Sequence, residues 1–87
     1  MDVVWLDVQM WTPLRGTFHP FLDVACDLPQ PLPVAEGDWQ RWARMNLEAV
    51  AAHEQWQPGR YHYTAERRDD GGHPVEVFVH GLWEWNA

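Results

Sequence analysis

Residues 38–59, DWQRWARMNLEAVAAHEQWQPG, form the longest helical pattern in the sequence and decide the fold. Asp38 suits an N-cap, no Gly or Pro occurs from 39 to 57, and Pro58-Gly59 then interrupts the run. We therefore expect a helix over 38–57. At about 100° per residue, its apolar side chains share one broad arc: Trp39, Trp42, Ala43, Met45, Ala49, Val50 and Trp56.

A β-hairpin is predicted on the N-terminal side of this helix. Residues 3–11 alternate between apolar and mixed positions, and the turn formers of 12–16 separate them from a second strand at 17–26. Pro20 has no N–H for a sheet, which indicates that this second strand lies at an edge or carries a bulge. The predicted inward side chains are Val4, Leu6, Val8 and Met10 from the first strand and Phe18, Leu22, Val24 and Cys26 from the second.

A second hairpin is predicted after the helix, with strands at 60–68 and 75–85. If the apolar side chains of the two strands share a face, Tyr63 is opposite Val79 and His62 is opposite His80. This register needs a loop with an odd number of residues, such as the three-residue loop Asp70-Gly71-Gly72 with a glycine bulge. Val75, Val77 and Val79 would then point inward.

The two hairpins and the helix together predict an α+β domain of order ββαββ, with one helix packed on one face of a four-stranded antiparallel sheet. Pro29, Pro31 and Pro33 make the segment before the helix a stiff, extended crossing. The expected organisation is a single domain, 1–87, comprising a first hairpin (1–27), the crossing (28–37), the helix (38–57) and a second hairpin (60–86).

The charge of the chain excludes some classes of partner. The 87 residues hold 13 Asp and Glu against 6 basic residues, for a formal charge of −7. This charge disfavours direct nucleic-acid binding and binding to anionic membranes. The single cysteine rules out an internal disulfide, and acidic residues near the N-terminus do not fit a secretory signal, so we expect a cytoplasmic protein.

Few residues indicate catalysis. Asn46 and His53 lie seven residues apart near the middle of the predicted apolar arc, where a pocket under the helix would use them as amide and base. Hydrogen-bonded core positions are the stronger interpretation. Cys26 is interpreted as a buried apolar residue, and the histidines lack metal-ligand spacing. We expect no enzyme activity, no cofactor and no metal site.

Large aromatic side chains are the feature that most favours a binding function. The chain has 7 Trp, 3 Phe and 2 Tyr, of which one helix covers only a share. The sheet face away from the helix is therefore predicted to be an interface. Its predicted partner-binding residues are Trp5, Trp11, Phe21, Phe78, His80 and Leu82, with Asp7, Asp23 and Glu76 around them and Phe78 near the centre; His19, His62 and Glu66 are expected on the same face.

The function expected from these features is a small acidic protein-binding module. It would act as an inhibitor or adaptor, comparable to phage-encoded antagonists or antitoxins, on a basic protein partner that handles nucleic acid. A homodimer or accessory subunit joined through the aromatic sheet face is one alternative. A small-ligand or carbohydrate binder that uses Trp83 and Trp85 is another, because indole rings stack on sugars as well as on proteins.

Overall fold

A computed structural model describes residues 3–86 and confirms the predicted α+β architecture. Residues 1, 2 and 87 of the predicted domain lie outside the described residues. The elements are β1 (Val3–Thr12), β2 (Thr17–Asp27), α1 (Glu36–Glu54), β3 (Gly59–Arg68) and β4 (Pro74–Trp85). The strands form one antiparallel sheet of order β2-β1-β3-β4, so β1 and β3 are central and β2 and β4 are edges.

The helix α1 covers one face of the sheet, but with a different stripe from the one predicted. Its buried residues follow one another at intervals of four, whereas Met45 and Ala49 of the predicted arc are exposed. The stripe is rotated by about 100° from the predicted arc. The buried stripe consists of Trp39, Ala43, Leu47 and Ala51.

The two ends of α1 also differ from the prediction. The helix begins at Glu36, two residues before the predicted cap Asp38, and no side chain caps its N-terminus. It ends at Glu54, because Gln55 adopts a left-handed conformation with φ 56°. The N–H of Trp56 then donates to the carbonyl of Ala51, which closes the last turn before Pro58 is reached.

The edge strand β2 carries the bulge that Pro20 predicted. Val8 pairs with Leu22 but Gln9 pairs with Pro20, so Phe21 has no partner on β1. The extra residue reverses the faces of the strand on its N-terminal side. Phe18 was predicted to point inward and instead pairs with Trp11 on the face away from the helix.

The edge strand β4 carries two bulges, which make the predicted register wrong by two residues. The loop itself is confirmed, because the N–H of Asp69 donates to the carbonyl of His73 at 2.9 Å across Asp70-Gly71-Gly72. Val75 and Phe78 are then each skipped by the ladder, and each adds one residue to the offset. The resulting pairs are Tyr63 with Gly81, His62 with Leu82 and Thr64 with His80.

These bulges also correct the predicted orientation of the valines. Val79 is buried at 3% exposure as predicted, whereas Val75 and Val77 are 49% and 53% exposed. Val77 pairs with Glu66, whose neighbours along the sheet point away from the helix. Phe78, the bulge residue next to Val79, points inward instead, and its ring stacks on Trp39 with centroids 4.5 Å apart.

A close contact between β3 and β4 requires a glycine. The ring of Tyr63, itself only 2% exposed, lies over Gly81 in the paired strand. A Cβ atom at Gly81 would lie 3.1 Å from the Tyr63 hydroxyl oxygen and 3.4 Å from its Cζ. Packing of an aromatic ring over a strand glycine therefore fixes the position of both residues.

The segment between β2 and α1 has no helix or strand and contains a cis peptide bond between Gln30 and Pro31. Leu28 from this segment packs against the buried core. No helix in the described part of the chain is long and apolar enough to cross a membrane.

Candidate functional site: the open sheet face

The sheet face away from α1, here called the open face, is covered by no helix within residues 3–86. Directly opposed residues of paired strands point to the same side, so the register assigns the side chains of this face. Acidic residues are concentrated towards the start of β1, and apolar residues towards its end. The side chains of the open face include Trp5, Asp7, Trp11, Phe18, Asp23, Arg60, His62, Glu66, Arg68, His80, Leu82 and Glu84.

Two carboxylates, those of Asp23 and Glu66, pair with one guanidinium at the acidic end. Arg68 donates through both terminal nitrogens to the two oxygens of Asp23, each at 3.2 Å, and through Nε to Glu66 at 2.7 Å. The carboxylate of Glu66 is buried, and the side chain of Arg68 is only 14% exposed. The hydrogen bond to Asp23, and to a smaller extent the one to Glu66, raises the pKa of Arg68 above its already high ordinary value. The guanidinium is therefore permanently charged.

Asp7 is the third carboxylate, and it has no ion-pair partner in the part of the chain that the structure describes. It is paired across β1 and β2 with Asp23, and it lies diagonally from Glu66. Burial, and then the charges of Asp23 and Glu66, raise the pKa of Asp7, and the opposing effects of Arg68 and His62 are smaller. The acidic end therefore carries an excess of negative charge that the fold itself does not neutralise.

The indole of Trp5 forms the floor beneath Arg68. The guanidinium carbon lies 4.9 Å from the centre of the ring, which is a cation–π geometry. Trp5 is half-buried, and it is directly opposite Glu66. One face of this tryptophan is therefore occupied from within the chain.

A cleft of about 210 Å³ lies at the other end of the open face. The rings of Trp11 and Phe18 meet edge to face, with centroids 5.1 Å apart, and form one wall. Leu82 from β4, which is 71% exposed, forms the opposite wall. Arg60 and Glu84 lie at the rim and approach each other to 3.6 Å.

Two histidines lie between the cleft and the acidic end. The rings of His62 and His80 are 5.8 Å apart, and His62 is also 6.0 Å from the ring of Phe18. They are diagonal neighbours and not the directly opposed pair that was predicted. Within residues 3–86, no three His, Cys, Asp or Glu side chains form a group that would hold a metal ion.

The structure gathers most of the predicted partner-binding residues on the open face, but it moves three of them. Phe21 and Phe78 point towards the helix, because each is the extra residue of a bulge. Phe21 contacts Trp56 with centroids 5.0 Å apart. Glu76 pairs with Arg67 at 3.3 Å and lines a separate cleft on the helix side with Phe78. Placing these three on the open face was therefore wrong.

His19, also expected on this face, is instead directly opposite Met10, whose strand neighbours Val8 and Leu6 point to the helix side. Its Nε2 is buried and has no hydrogen-bond partner in the described chain. The same bulge at Phe21 explains the change of side.

The structure bears out neither the pocket under the helix nor the core positions predicted for Asn46 and His53, because neither residue belongs to the buried stripe of α1. The His53 side chain is 85% exposed and lies 3.5 Å from the carboxylate of Glu54. Asn46 donates its amide to the carbonyl of Trp42, one turn earlier in the same helix. The rotation of the buried stripe places both residues away from its centre, and the structure does not bring them together.

Most of the tryptophans pack on the side of the sheet that the helix covers. Trp39, Trp56 and Trp83 are buried core residues, and Trp42 packs against them from the flank. The ring N–H of Trp85 donates to the carbonyl of Trp56 at 3.1 Å. Trp83 and Trp85, the pair expected to stack on a sugar, are therefore part of the packing.

Phe18 and Arg68 are two open-face residues that sequence reasoning did not identify. The alternation placed Phe18 inside, and the only signal against that assignment was Pro20, which predicted a bulge without fixing its position. The arrangement around Arg68 depends on β1 lying between β2 and β3, which local patterns do not encode.

Comparison with known proteins adds no relative, since no protein-family model, no curated protein and no solved structure matches this chain. The geometry of the open face is therefore the basis for a functional proposal.

Proposed function

We propose that this protein is a binding module whose open face engages a basic surface of another protein, acting as an inhibitor or adaptor of that partner. The observation that carries the proposal is the acidic end of the face, where Arg68 pairs with Asp23 and Glu66 while Asp7 beside them has no ion-pair partner in the described part of the chain. A Lys or Arg from a partner would supply the missing positive charge at Asp7. The net charge of −7 adds long-range attraction to such a partner.

Burial strengthens the case for a specific site over a general acidic surface. Exposed carboxylates contribute solubility at little cost, whereas Asp7 is half-buried and its pKa is raised by burial and by its neighbours. A charged group held at an unfavourable position is more typical of a functional site than of a solvated surface.

The carbohydrate alternative has less support. Stacking on a sugar needs an accessible aromatic face, and Arg68 already occupies one face of Trp5. Trp11 is half-buried, with Phe18 at its edge. A homodimer through the open face would bring two copies of the acidic end into one interface, where like charges oppose association unless the acidic ends are kept apart.

The test is capture of the partner on immobilised protein, followed by affinity measurement with the purified partner. Three baits are compared: wild type, Asp7→Asn on the open face and Glu48→Gln on an exposed position of α1. The two variants remove the same charge, so only position distinguishes them. A basic protein should be retained by wild type and Glu48→Gln and be depleted on Asp7→Asn.

Salt gives a second, independent readout. The screening length falls from about 10 Å at 0.1 M to about 3 Å at 1 M salt, so an interaction at Asp7 should weaken across this range. If the affinity of the purified partner is the same for all three proteins and independent of salt, the open face is not its binding site.

A further inference from the structure

We infer that the cleft at the apolar end of the open face receives one large apolar side chain of the partner, about 13 Å from the basic residue that meets Asp7. The inference rests on the proposed function and specifies the chemistry of the partner: an extended segment in which a Leu, Phe, Trp or Met and a Lys or Arg are separated by four positions. The spacing follows from β1, because Asp7 and Trp11 are four residues apart on the same side of a strand that rises about 3.3 Å per residue.

The size of the cleft favours a single side chain over a small-molecule ligand. Its volume of about 210 Å³ is below the ~300–1,000 Å³ typical of pockets for small molecules and cofactors. Binding energy at protein interfaces concentrates where a large side chain fills a pocket lined by aromatic residues. The walls formed by Trp11, Phe18 and Leu82 have that composition.

The exposure of Leu82 is the second observation. The side chain of Leu82 is 71% exposed, so folding of the monomer alone buries little of its apolar surface. Val77 on the same edge strand is also more than half exposed. The pairing of Leu82 with His62 places it on the open face, across the cleft from Trp11 and Phe18, where an incoming side chain would bury it.

The rim of the cleft matches a basic segment. Arg60 and Glu84 approach each other at 3.6 Å, but both side chains are more than 60% exposed, so the pair is weak and easily rearranged. A Lys or Arg of the partner can therefore form an ion pair with Glu84 in place of Arg60. The acidic end and the cleft together define a segment with positive charge on both sides of one apolar anchor.

The experiment is selection of a displayed random 12-residue peptide library on the wild-type protein at low salt. Enriched peptides are then synthesised and measured against Leu82→Asp in the cleft wall, Val34→Asp as its control and Asp7→Asn. Val34 is 96% exposed in the proline-rich crossing, so the control makes the same substitution away from the open face. Circular dichroism confirms that each variant is folded.

We expect enriched peptides to carry an apolar residue four positions from a Lys or Arg. Their affinity should fall about tenfold or more with Leu82→Asp, fall several-fold with Asp7→Asn and stay unchanged with Val34→Asp. A spacing of three or five would place the two side chains on opposite sides of an extended segment, so peptides re-synthesised with that spacing should lose the binding.

The outcomes separate the two proposals. Binding that depends on Asp7 but not on Leu82 overturns the cleft inference and leaves the proposed function standing. Peptide binding that depends on neither residue, or no enrichment of peptides at all, overturns the cleft inference. The proposed function is tested separately, and it is overturned if the Asp7→Asn bait still retains the captured host protein. A wild-type dimer in sedimentation equilibrium that Leu82→Asp dissociates assigns the cleft to a second copy of this chain and overturns the external partner.

Discussion

Replacing Asp7 by Asn should stabilise the protein at pH 7. The substitution keeps the shape of the side chain and removes a charge that is directly opposite Asp23. Opposed side chains in an antiparallel pair are about 5 Å apart, and two like charges at ~5 Å repel by about 0.8 kcal/mol even in water-like dielectric. Arg68 offsets part of this repulsion. The expected gain in the free energy of unfolding is about 0.5–1 kcal/mol.

The raised pKa of Asp7 determines how the stability gain from Asp7→Asn changes with pH. Because burial and the neighbouring carboxylates raise the pKa of Asp7 above its ordinary 3.8, the folded state binds this proton more tightly than the unfolded chain does. The penalty from Asp7 is therefore fully present above the folded-state pKa, and it disappears as the pH falls to the unfolded value. The advantage of Asp7→Asn over wild type should shrink accordingly from pH 7 towards pH 4.

Urea unfolding followed by tryptophan fluorescence measures this difference, with Glu48→Gln as the control for net charge. A loss of stability in Asp7→Asn at pH 7, or a gain that does not change with pH, would refute the electrostatic reasoning. A gain in stability together with a loss of partner binding is the combination expected of a residue kept for function at a cost to folding.

Three further predictions concern the packing. Gly81→Ala should destabilise the protein by about 1 kcal/mol by overpacking but cost little in a Tyr63→Phe background, since the closest ring atom is then 3.4 Å away; a double-mutant cycle in urea checks this. Arg68→Met should cost about 3 kcal/mol because it leaves the buried Glu66 without a cation, and adding Glu66→Gln should restore part of the loss in the same assay. Burial raises the pKa of the Cys26 thiol to about 11, so a colorimetric thiol reagent at pH 7 should label it promptly only after unfolding.

The parts of the fold that follow a simple period could be predicted from the sequence. Val4, Leu6 and Val8 alternate without interruption and are buried as expected, and the two glycines after Asp70 form the predicted loop. Pro20 predicted an edge strand or a bulge, and the structure has both. Local chemistry decides each of these features, so one sequence is enough to find them.

The errors arise where packing decides between local alternatives. A bulge at Phe21 or Phe78 costs one unpaired residue and in return places a ring against Trp56 or Trp39. The hydrophobic pattern alone does not show that a lost strand pairing is offset by an aromatic contact. The predicted helix arc omits Leu47 and Ala51 for a related reason, because the large side chains of Trp42, Met45 and Trp56 dominate the hydrophobic pattern.

The site was predicted in part for the same reasons. Trp5, Asp7 and Trp11 lie on the open face because β1 is regular throughout. The cluster around Arg68 needed the strand order as well, since Arg68 joins β3 to a residue of β2 across β1. Contacts between strands that are distant in sequence are the ones that alternation cannot supply.

The bulges of the two outer strands also limit how this protein can assemble. A straight outer strand offers unpaired N–H and C=O groups to any other strand, which is the route to filaments and amyloid. Here β2 is interrupted at Pro20 and Phe21, and β4 at Val75 and Phe78. Growth by strand addition is therefore obstructed at both edges. The protein can therefore expose the apolar side chains of the open face without offering a straight strand edge to another copy.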